Sequence, residues 1–514
     1  MIQDASEGVA TPAVRRGRTD RTLANWLWMT GSAAAQGALS IAVLAVLARL
    51  LSPRDFGLAS ASMLVIKLSM IFSQVGVGPA IVQHPALRPA HVQTGTVCSV
   101  LFGVLLLGLL WASAPLIAVG LHAPALAPVV RALAWSLPIQ SGSIVAESLL
   151  RRDLEFRTIA AIRVASYAIG YGVVGIALAG LGLGVWALVW AQLVQTAAYT
   201  AGVNVRRPHS WRPAVRRREL RELLTFGGGL TLARIGNYAA VNGDYMVVVK
   251  WLGVVSLGLY ERAYQLMAMP ATLIGQVMDD VLFPAMAQIQ DERSRVGAAY
   301  RRAVAAVAVA TLPVSTLVIV LAPELVLVLL GPKWTAATRP LQILAAGTLF
   351  RTSYKVSDSL TRALGAVYAR AWRQWIYAGL VIGGGALGQP WGISGVATGV
   401  LFALLVNFLL MAHLSTRLLG LSWVGFFRAH LAGVKLAALC GGITALVAAA
   451  ARPWLPPIGV LVAAVVVLVP AGVPLLLRAP AWLLGDDERW LVRRLADFVG
   501  RRVPRLRSIV RPAS

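Results

Sequence analysis

Charged residues inside otherwise apolar segments are the part of this chain that could do chemistry. Arg351, Lys355 and Asp358 follow one another at intervals of four and three residues in the segment FRTSYKVSDSLTR. In a helix this spacing places all three on one face, together with Tyr354 and Ser357. Two interpretations follow. Either Lys355 simply pairs with Asp358, or the face forms a polar stripe along a water-filled cavity.

Further charges lie within other apolar segments. Lys67 has no carboxylate in its own segment, so it needs a counter-charge from another helix or an anionic substrate. Arg234 and Asp244 are ten residues apart, about 15 Å along a helix, and therefore cannot pair directly. The adjacent Asp279 and Asp280 lie near the end of their segment and are weaker candidates.

The stronger candidates carry more positive than negative charge. They comprise four cations and two carboxylates: Lys67, Arg234, Arg351 and Lys355, with Asp244 and Asp358. A cavity lined by such a set attracts anions, and Arg binds phosphate through paired N–H donors. If these side chains converge, the sequence predicts a binding site for a substrate that carries phosphate.

The elements that must position these residues are long apolar helices. A bilayer core of ~30 Å requires about 20 apolar residues per helix, and the chain contains about fourteen such segments. We therefore predict an all-α polytopic membrane protein with spans near 25–50, 57–83, 93–121, 125–150, 160–180, 184–203, 223–251, 256–283, 298–322, 336–361, 371–388, 391–415, 431–451 and 457–477.

The positive residues fall mainly in alternate loops between these spans. Loops near 151–157, 206–218 and 293–302 are rich in Arg, whereas the loops 180–184 and 388–391 carry no Lys or Arg. Cytoplasmic loops of membrane proteins carry the excess of Lys and Arg. This pattern predicts that both chain ends are cytoplasmic, as an even number of spans requires.

The composition excludes several classes of protein. Charged residues make up only 13% of the chain, apolar residues 58%, and the mean hydropathy is +0.72, whereas soluble domains carry about 25% charge. A soluble enzyme is therefore excluded. The net charge of +26 is spread over loops and tails rather than one folded face. It therefore indicates contact with anionic membrane lipids and no nucleic-acid partner.

Motifs for nucleotide or metal chemistry are absent from the sequence. It contains no phosphate-binding G-x-x-x-x-G-K-[ST] run, no H-E-x-x-H and no nucleophile elbow. Cys98 and Cys440 lie in apolar spans without metal or disulfide spacing, and His84 and His91 are interpreted as interfacial packing. We expect no enzyme activity, metal or cofactor, and a driving force from an ion gradient, the substrate gradient or a separate subunit.

An internal repeat relates two parts of the chain. ARLLSPRDFGLA (48–59) aligns with VKWLGVVSLGLY (249–260) at an offset of 201, and ESLLR (147–151) aligns with DSLTR (358–362) at an offset of 211. The offset covers an even number of spans, so the two copies have the same orientation. Such parallel repeats form two bundles related by an axis along the membrane normal.

This repeat predicts six segments of different character. They are a cytoplasmic tail, a six-helix bundle, a basic cytoplasmic linker, a second six-helix bundle, two extra transmembrane helices and a basic amphipathic cytoplasmic tail: 1–24, 25–205, 206–222, 223–415, 431–477 and 478–514. The second half of the linker, from Arg216 to Leu224, is expected to begin a short surface helix that leads into the seventh span.

Two long segments resemble a known family. Residues 25–83, which begin NWLWMTGSAAAQGALS, resemble the opening of bacterial polysaccharide transporters, the Wzx-like oligosaccharide flippases. GNYAAVNGDYMVVVKWLGVVSLGLYERAYQLMAMP (236–270) resembles the start of their second half, where a helix carrying an Asp turns into an LGLY-type helix. The resemblance covers roughly residues 22–420. The same motifs point to the wider multidrug/oligosaccharidyl-lipid/polysaccharide exporter superfamily.

The resemblance implies a fold and a function. Two six-helix bundles would form a V around a central cavity, with Lys67, Arg234, Asp244 and Lys355 as its functional charges. The protein would flip undecaprenyl-diphosphate-linked oligosaccharide repeat units across the bacterial inner membrane by alternating access, for lipopolysaccharide, exopolysaccharide or capsule biosynthesis. Expected partners are this lipid-linked oligosaccharide, membrane lipids, and the polysaccharide polymerase and glycosyltransferases of the pathway.

Three alternatives stay open at this point. An exporter of drugs or other small molecules in the same superfamily would favour carboxylates in its cavity. An integral-membrane polysaccharide polymerase or ligase would need a large outer loop with Arg or His, whereas the longest outer loop, 323–336, holds only Glu324 and Lys333 as charges. A membrane scaffold for glycosyltransferases is the third, and the repeat argues against it.

Overall fold

The structure is a computed structural model that describes residues 36–73, 77–84, 86–210, 216–277, 282–478 and 485. These residues form helices and short connections, with no β-strand among them. The predictions for the N-terminal tail 1–24, and for the C-terminal tail beyond Arg478 except Gly485, lie outside the described residues.

The described residues up to 210 form ten helices. A π-helical stretch, Ala168–Gly175, joins α8 to α9. The helices are α1 Gln36–Leu50, α2 Pro53–Ser73, α3 Val77–Gln83, α4 Pro89–Gly120, α5 Leu126–Ala134, α6 Ser136–Ser141, α7 Ile144–Arg152, α8 Phe156–Tyr167, α9 Ile176–Gly180 and α10 Val185–Arg206.

The described residues from 216 to 478 form twelve helices, with a π-helical turn at Val248–Leu252 and 3₁₀ turns at Pro332–Ala337 and Gln389–Trp391. They are α11 Arg217–Val247, α12 Gly253–Val277, α13 Phe283–Gln288, α14 Arg293–Val320, α15 Ala322–Leu329, α16 Thr338–Ala346, α17 Thr348–Ala363, α18 Val367–Gly388, α19 Gly392–Leu419, α20 Trp423–Arg428, α21 Leu431–Ala451 and α22 Pro457–Arg478.

The helices confirm an all-α polytopic membrane fold. By length and composition alone, seven helical segments of the described chain could cross a membrane. One of these, Tyr368–Leu419, contains the predicted spans 371–388 and 391–415, and another, Gly236–Met269, covers parts of 223–251 and 256–283. α11 begins at Arg217 and continues unbroken to Val247. The linker therefore does begin a helix, but this helix is the start of the long α11 and not a separate short surface helix.

Two predicted spans are broken into shorter helices. The span 125–150 consists of α5, α6 and α7, and Pro138, which lacks a backbone N–H donor, lies in the middle segment. The span 336–361 is divided into α16 and α17, and a 3₁₀ turn precedes α16. Gly331 begins that turn with φ +99°, a conformation that glycine adopts without steric cost.

The largest hydrophobic cluster lies where the two halves of the repeat meet. It runs along α2 and α12 and includes the fully buried Leu47 and Tyr260. The Trp334 indole N–H donates a hydrogen bond to the Ala48 carbonyl at 2.9 Å, and its ring packs edge-on against Phe56. Burial of these apolar side chains stabilises the contact between the two halves.

The two extra helices pack on the second half. α21 lies against α14, where Gly433 leaves no room for a Cβ beside the Ala308 backbone. Glycine at helix interfaces allows such close approach in membranes. α22 packs on α15 through a cluster that contains Leu321 and Val460. We call the contact between α2 and α12 the seam between the two halves. The two extra helices extend the second half and do not cover this seam.

The arginine-rich loops gather at one end of the molecule. Arg152 at the end of α7 donates hydrogen bonds to the carbonyls that end α3, including that of His84 at 2.7 Å. Arg207 after α10 pairs with Asp153 at 3.0 Å. We call this end of the molecule the basic end, and the end that holds Trp334 and the turn between α1 and α2 the opposite end.

Candidate functional site

A cavity lies between α2 of the first half and α11 of the second. Its volume is about 320 Å³, and it is lined by Lys67, Met70, Ile71, Asn237, Tyr238, Val241 and Asn242. The Tyr238 hydroxyl donates to the Leu64 carbonyl at 2.6 Å and ties the two helices together at the cavity wall. The lining offers one cation, two amides and apolar surface, which is the usual mixture of a ligand pocket.

A second group of charges lies on the same face of α2, two helical turns from Lys67 towards the opposite end. There the Ser60 hydroxyl donates to Glu261 of α12 across the seam. Arg262 pairs with Glu261 at 2.7 Å and stacks over the Phe56 ring at 4.8 Å. Lys67 is close enough to Glu261 to act on it electrostatically. The seam therefore carries two cations and one carboxylate, with a net positive charge.

Glu261 and Arg262 were missed by the sequence analysis. Both lie in LGLYERAYQL, within the first third of the predicted span 256–283. Their side chains are only 20% and 11% exposed in the structure. The test that selected Lys67, a charge inside an apolar segment, applies equally to them and would have found them.

Asp244 and Arg351 belong to one polar network inside the second half. Asp244 is buried and accepts a hydrogen bond from the Tyr260 hydroxyl at 2.9 Å. Arg351 donates to the Tyr264 hydroxyl and stacks on its ring at 4.7 Å. Tyr245 packs edge-on against both tyrosines. The structure therefore joins these two candidates through aromatic side chains.

The predicted stripe on α17 is divided among different neighbours. Asp358 pairs with Arg362 at 3.2 Å and with Arg370 of α18, so its negative charge is balanced near the basic end. Ser357 exchanges a buried hydrogen bond with Tyr300 of α14 at 2.9 Å. Lys355 lies one turn after Arg351 on the same helix. A continuous stripe facing one cavity stays a prediction.

The structure does not describe the side chains of three predicted site residues, Arg234, Asp279 and Asp280. Arg234 belongs to α11, three positions before the cavity residue Asn237, and its role stays a prediction. Asp279 and Asp280 lie outside the described residues.

A third polar group lies at the basic end. His84, His91 and Glu222 place one ring nitrogen or carboxylate oxygen each within 4.8 Å of one another, a spacing compatible with a metal ion. However, the backbone N–H of Arg88 donates to His91 Nδ1 at 3.1 Å. In the neutral ring the proton therefore lies on Nε2, which is 2.8 Å from Glu222. A metal would need the lone pair of that same nitrogen, so the geometry fits a hydrogen bond better.

Among solved structures, the fold is similar to two membrane transporters. It matches the lipid II flippase MurJ in its inward closed conformation with a TM-score of 0.70 and 14% identity, over 86% of this chain and 97% of that one. It matches an inward-facing multidrug resistance transporter of the MATE family with a TM-score of 0.60 and 14% identity, over 78% and 95% of the two chains. At 14% sequence identity, these two similarities show a shared fold and nothing about the substrate.

Relatives by sequence include transport and biosynthesis proteins for bacterial polysaccharides. The chain is 26% identical to the succinoglycan biosynthesis transport protein ExoT of Rhizobium meliloti, over 96% of this chain and 98% of that protein. It is 24% identical to the lipopolysaccharide biosynthesis protein WzxC of Escherichia coli, over 76% and 80%. It is 25% identical to the teichuronic acid biosynthesis protein TuaB of Bacillus subtilis, over 57% and 62%.

A family model agrees with these relatives. The model described as "polysaccharide biosynthesis protein" matches residues 46–339, more than half of the chain. It spans the α2–α11 cavity, the α2–α12 seam and the basic-end histidines. The resemblance seen in the sequence is thereby confirmed, and the chain belongs to the polysaccharide biosynthesis protein family.

Proposed function

We propose that this protein is a flippase that moves undecaprenyl-diphosphate-linked oligosaccharide repeat units across the bacterial inner membrane. The observation that carries the proposal is the excess of positive charge along α2: Lys67 lines the cavity, and the Arg262–Glu261 pair, which is neutral overall, lies two helical turns away. A lipid-linked diphosphate needs such cations to leave water, because a diphosphate in an apolar medium is otherwise strongly disfavoured. Amides such as Asn237 and Asn242 suit sugar hydroxyls.

The fold supports transport by alternating access. α2 and α12 close the seam at the opposite end, and the cavity lies between α2 and α11 nearer the basic end. Rocking of the two repeated halves would exchange which end is closed. The sugar diphosphate would occupy the cavity while the polyprenyl tail stays in the bilayer. No covalent step is involved, so the protein acts as a transporter and not as an enzyme.

The orientation and partners belong to the same proposal. In this proposal the basic end and both termini face the cytoplasm, and the excess of Lys and Arg in alternate loops supports that orientation. Glycosyltransferases would deliver the completed unit to the inner leaflet there, and a polymerase would receive it in the outer leaflet. An ion gradient or the substrate gradient would supply the free energy.

Deletion of the gene in its host tests this proposal. The assay follows surface polysaccharide and undecaprenyl-diphosphate oligosaccharide in each leaflet together. Complete repeat units stalled in the inner leaflet, with polymer lost, are the expected result. Complete units in the outer leaflet without polymer would indicate a polymerase instead. Normal polymer and normal intermediates, in a strain without a paralogue, would indicate an exporter of small molecules.

A further inference from the structure

A second cavity lies within the first half, between α3 and α7. Its volume is about 350 Å³, which is within the usual range of pockets for small ligands. We call it the α3–α7 pocket; it is lined by Gly78, Pro79, Val82, Gln83, Ile144, Glu147, Ser148 and Arg151. All of these residues belong to the first half of the chain.

Contacts between the two helices hold the walls of the pocket in place. Arg152 at the end of α7 donates hydrogen bonds to the carbonyls of Val82 and His84 at the end of α3, at 3.3 Å and 2.7 Å. Near the start of both helices, a Cβ on Gly78 would lie 3.7 Å from the Ile144 side chain. The two helices therefore run side by side in the same direction, towards the basic end.

This direction gives the pocket an apolar side and a polar side. Pro79 and Ile144 lie in the first turns of their helices, away from the basic end, and offer only hydrocarbon. Gln83 and Arg151 lie in the last turns, nearer the basic end, and are exposed. A membrane lipid has the same arrangement, with a polar head group at the surface of the bilayer and hydrocarbon beneath it.

The polar side carries a net positive charge. Nε and Nη2 of Arg151 donate to Glu147 Oε1 at 3.1 Å and 2.6 Å, and Arg163 of α8 lies 3.7 Å from the same oxygen. Two guanidinium groups therefore share one carboxylate, and Arg152 adds a third cation beside the wall. The bonds to Glu147 use one edge of the Arg151 guanidinium and leave Nη1 for another acceptor. Arg binds phosphate oxygens through such N–H groups.

The internal repeat places an ion cluster of the same kind on α17. Asp358 pairs there with Arg362 at 3.2 Å and with Arg370 of the next helix. In the second half, however, the Phe283 ring of α13 lies over the Arg362 guanidinium at 5.0 Å. The Arg362 side chain is accordingly 33% exposed, whereas that of Arg151 is 50% exposed. The guanidinium at the related position of the first half is thus more open to a ligand.

We propose that the α3–α7 pocket binds the head group of an anionic phospholipid from the leaflet at the basic end, with its phosphate on Arg151 and its first acyl carbons against Pro79 and Ile144. A resident phospholipid fits better than the transported lipid, because all the lining residues belong to one half. Rocking of the halves would leave such a site intact, whereas a site on the transport path must open to each side in turn. The inference does not depend on the proposed function.

Protection of a thiol tests the pocket. The parent protein carries Gln83→Cys in the pocket wall as its single cysteine, with Cys98→Ala and Cys440→Ala. The purified chain in a neutral detergent is titrated with phosphatidylglycerol, and the rate of labelling by a maleimide is measured. Phosphatidylglycerol should slow the labelling. Phosphatidylcholine with the same acyl chains should not, because its choline group cancels the phosphate charge.

Two variants remove the site in different ways. Arg151→Gln should raise the phosphatidylglycerol concentration needed for protection about tenfold or more, since a hydrogen bond between charged groups contributes at least that factor. Val82→Phe should also weaken protection, because its ring fills the pocket without a change of charge.

Arg295→Gln is the matched control. Arg295 pairs with Glu292 on its own helix at 2.5 Å, much as Arg151 pairs with Glu147, but it does not line the pocket. Its variant removes the same charge from the protein and should be protected like the parent.

Several outcomes would overturn the proposal. One is equal protection of the parent, Arg151→Gln and Val82→Phe at normal thermal stability, and another is an equal loss of protection in Arg295→Gln. Equal protection by phosphatidylcholine would indicate a merely apolar site. Equal protection by glycerol phosphate, which lacks acyl chains, would indicate a site for a free phosphate. Stronger protection by undecaprenyl diphosphate would assign the pocket to the transported lipid. The comparison of lipids uses the parent alone, so it holds even if a pocket variant fails to fold.

Discussion

Gly57 of α2 and Gly258 of α12 lie back to back where the two helices cross. A Cβ on Gly57 would collide with the Val254 carbonyl and lie 3.2 Å from the Gly258 nitrogen, and a Cβ on Gly258 would collide with the Pro53 carbonyl and lie 3.0 Å from the Gly57 nitrogen. The two glycines occupy the same position of the internal repeat. The Ser60 hydroxyl donates a hydrogen bond to the Glu261 carboxylate at the same contact between α2 and α12, and these two residues are likewise 201 positions apart. The pseudo-symmetry axis therefore passes between these pairs.

Gly258→Val should separate α2 from α12 and prevent closure of the opposite end. Overpacking of a close helix contact costs about 1–3 kcal/mol, and the obstacle here is backbone, which cannot rotate away. We expect a lower midpoint of thermal unfolding in detergent and loss of polymer export. Gly379→Ala in α18 is the control, because a Cβ there meets nothing within 4 Å. Equal stability of the two variants would contradict the crossing.

The spans and the repeat could be predicted because both are local patterns of hydropathy and spacing. The contacts that form the candidate site could not, because they join residues far apart in sequence. Ser60 bonds to Glu261 across 201 residues, and His91 bonds to Glu222 across 131. Local periodicity contains no information about which helix faces meet. The charges on α17 were correctly placed on one helix, but their partners were not predictable for the same reason.

Lys67→Glu should impair export while the protein still inserts in the membrane. The change reverses the one charge in the cavity wall and repels a diphosphate. We expect export to fall about tenfold or more, because every 1.4 kcal/mol of lost binding is a factor of ten. Export is measured as surface polysaccharide per unit of membrane-inserted protein.

Lys250→Glu is the matched control for that change. Lys250 is an exposed lysine in the π-helical turn that follows α11. It lies over the Trp251 ring at 4.8 Å and does not line the cavity. Its variant should export normally. Wild-type export by Lys67→Glu, at a normal protein level, would remove Lys67 from the substrate path.

The pair between Glu324 and Arg452 should anchor the two extra helices to the second half. Arg452 contacts the two carboxylate oxygens at 2.8 Å and 3.2 Å, and the Glu324 side chain is only 7% exposed. Arg452→Gln should destabilise the protein by about 1–3 kcal/mol, because it leaves a buried carboxylate without its partner. The lower half of that range is expected, since Arg452 itself is 45% exposed.

A double-mutant cycle separates the pair from its surroundings. Glu324→Gln combined with Arg452→Gln should cost less than the sum of the two single changes, with a coupling of at least about 0.5 kcal/mol. Thermal unfolding in detergent measures the loss of stability of the two single variants and of the double variant. Strict additivity would show that the two side chains contribute independently and that the helices are held by apolar packing alone.

The Glu222 carboxyl should remain ionised well into the acidic range. Its hydrogen bond from His91, followed by that from Arg218, lowers its pKa from 4.5 to about 2. A carboxyl whose pKa is depressed by folding stabilises the native state above its unfolded value and loses that contribution as the pH falls through the folded value. The stabilisation that the ionised Glu222 gives through its hydrogen bonds with His91 and Arg218 is therefore complete at neutral pH. It is lost only between about pH 4.5 and pH 2.

Infrared difference spectra of the wild-type protein against Glu222→Gln measure this directly. At about pH 3.5 an unperturbed glutamate is mostly protonated, so the absence of a protonated carboxyl band at that pH is the expected result. His91→Ala removes the first cause of the shift and should move the titration midpoint back towards 4.5. A wild-type midpoint already near 4.5 would mean that His91 and Glu222 are apart in the membrane, and that α11 is not held at its basic end.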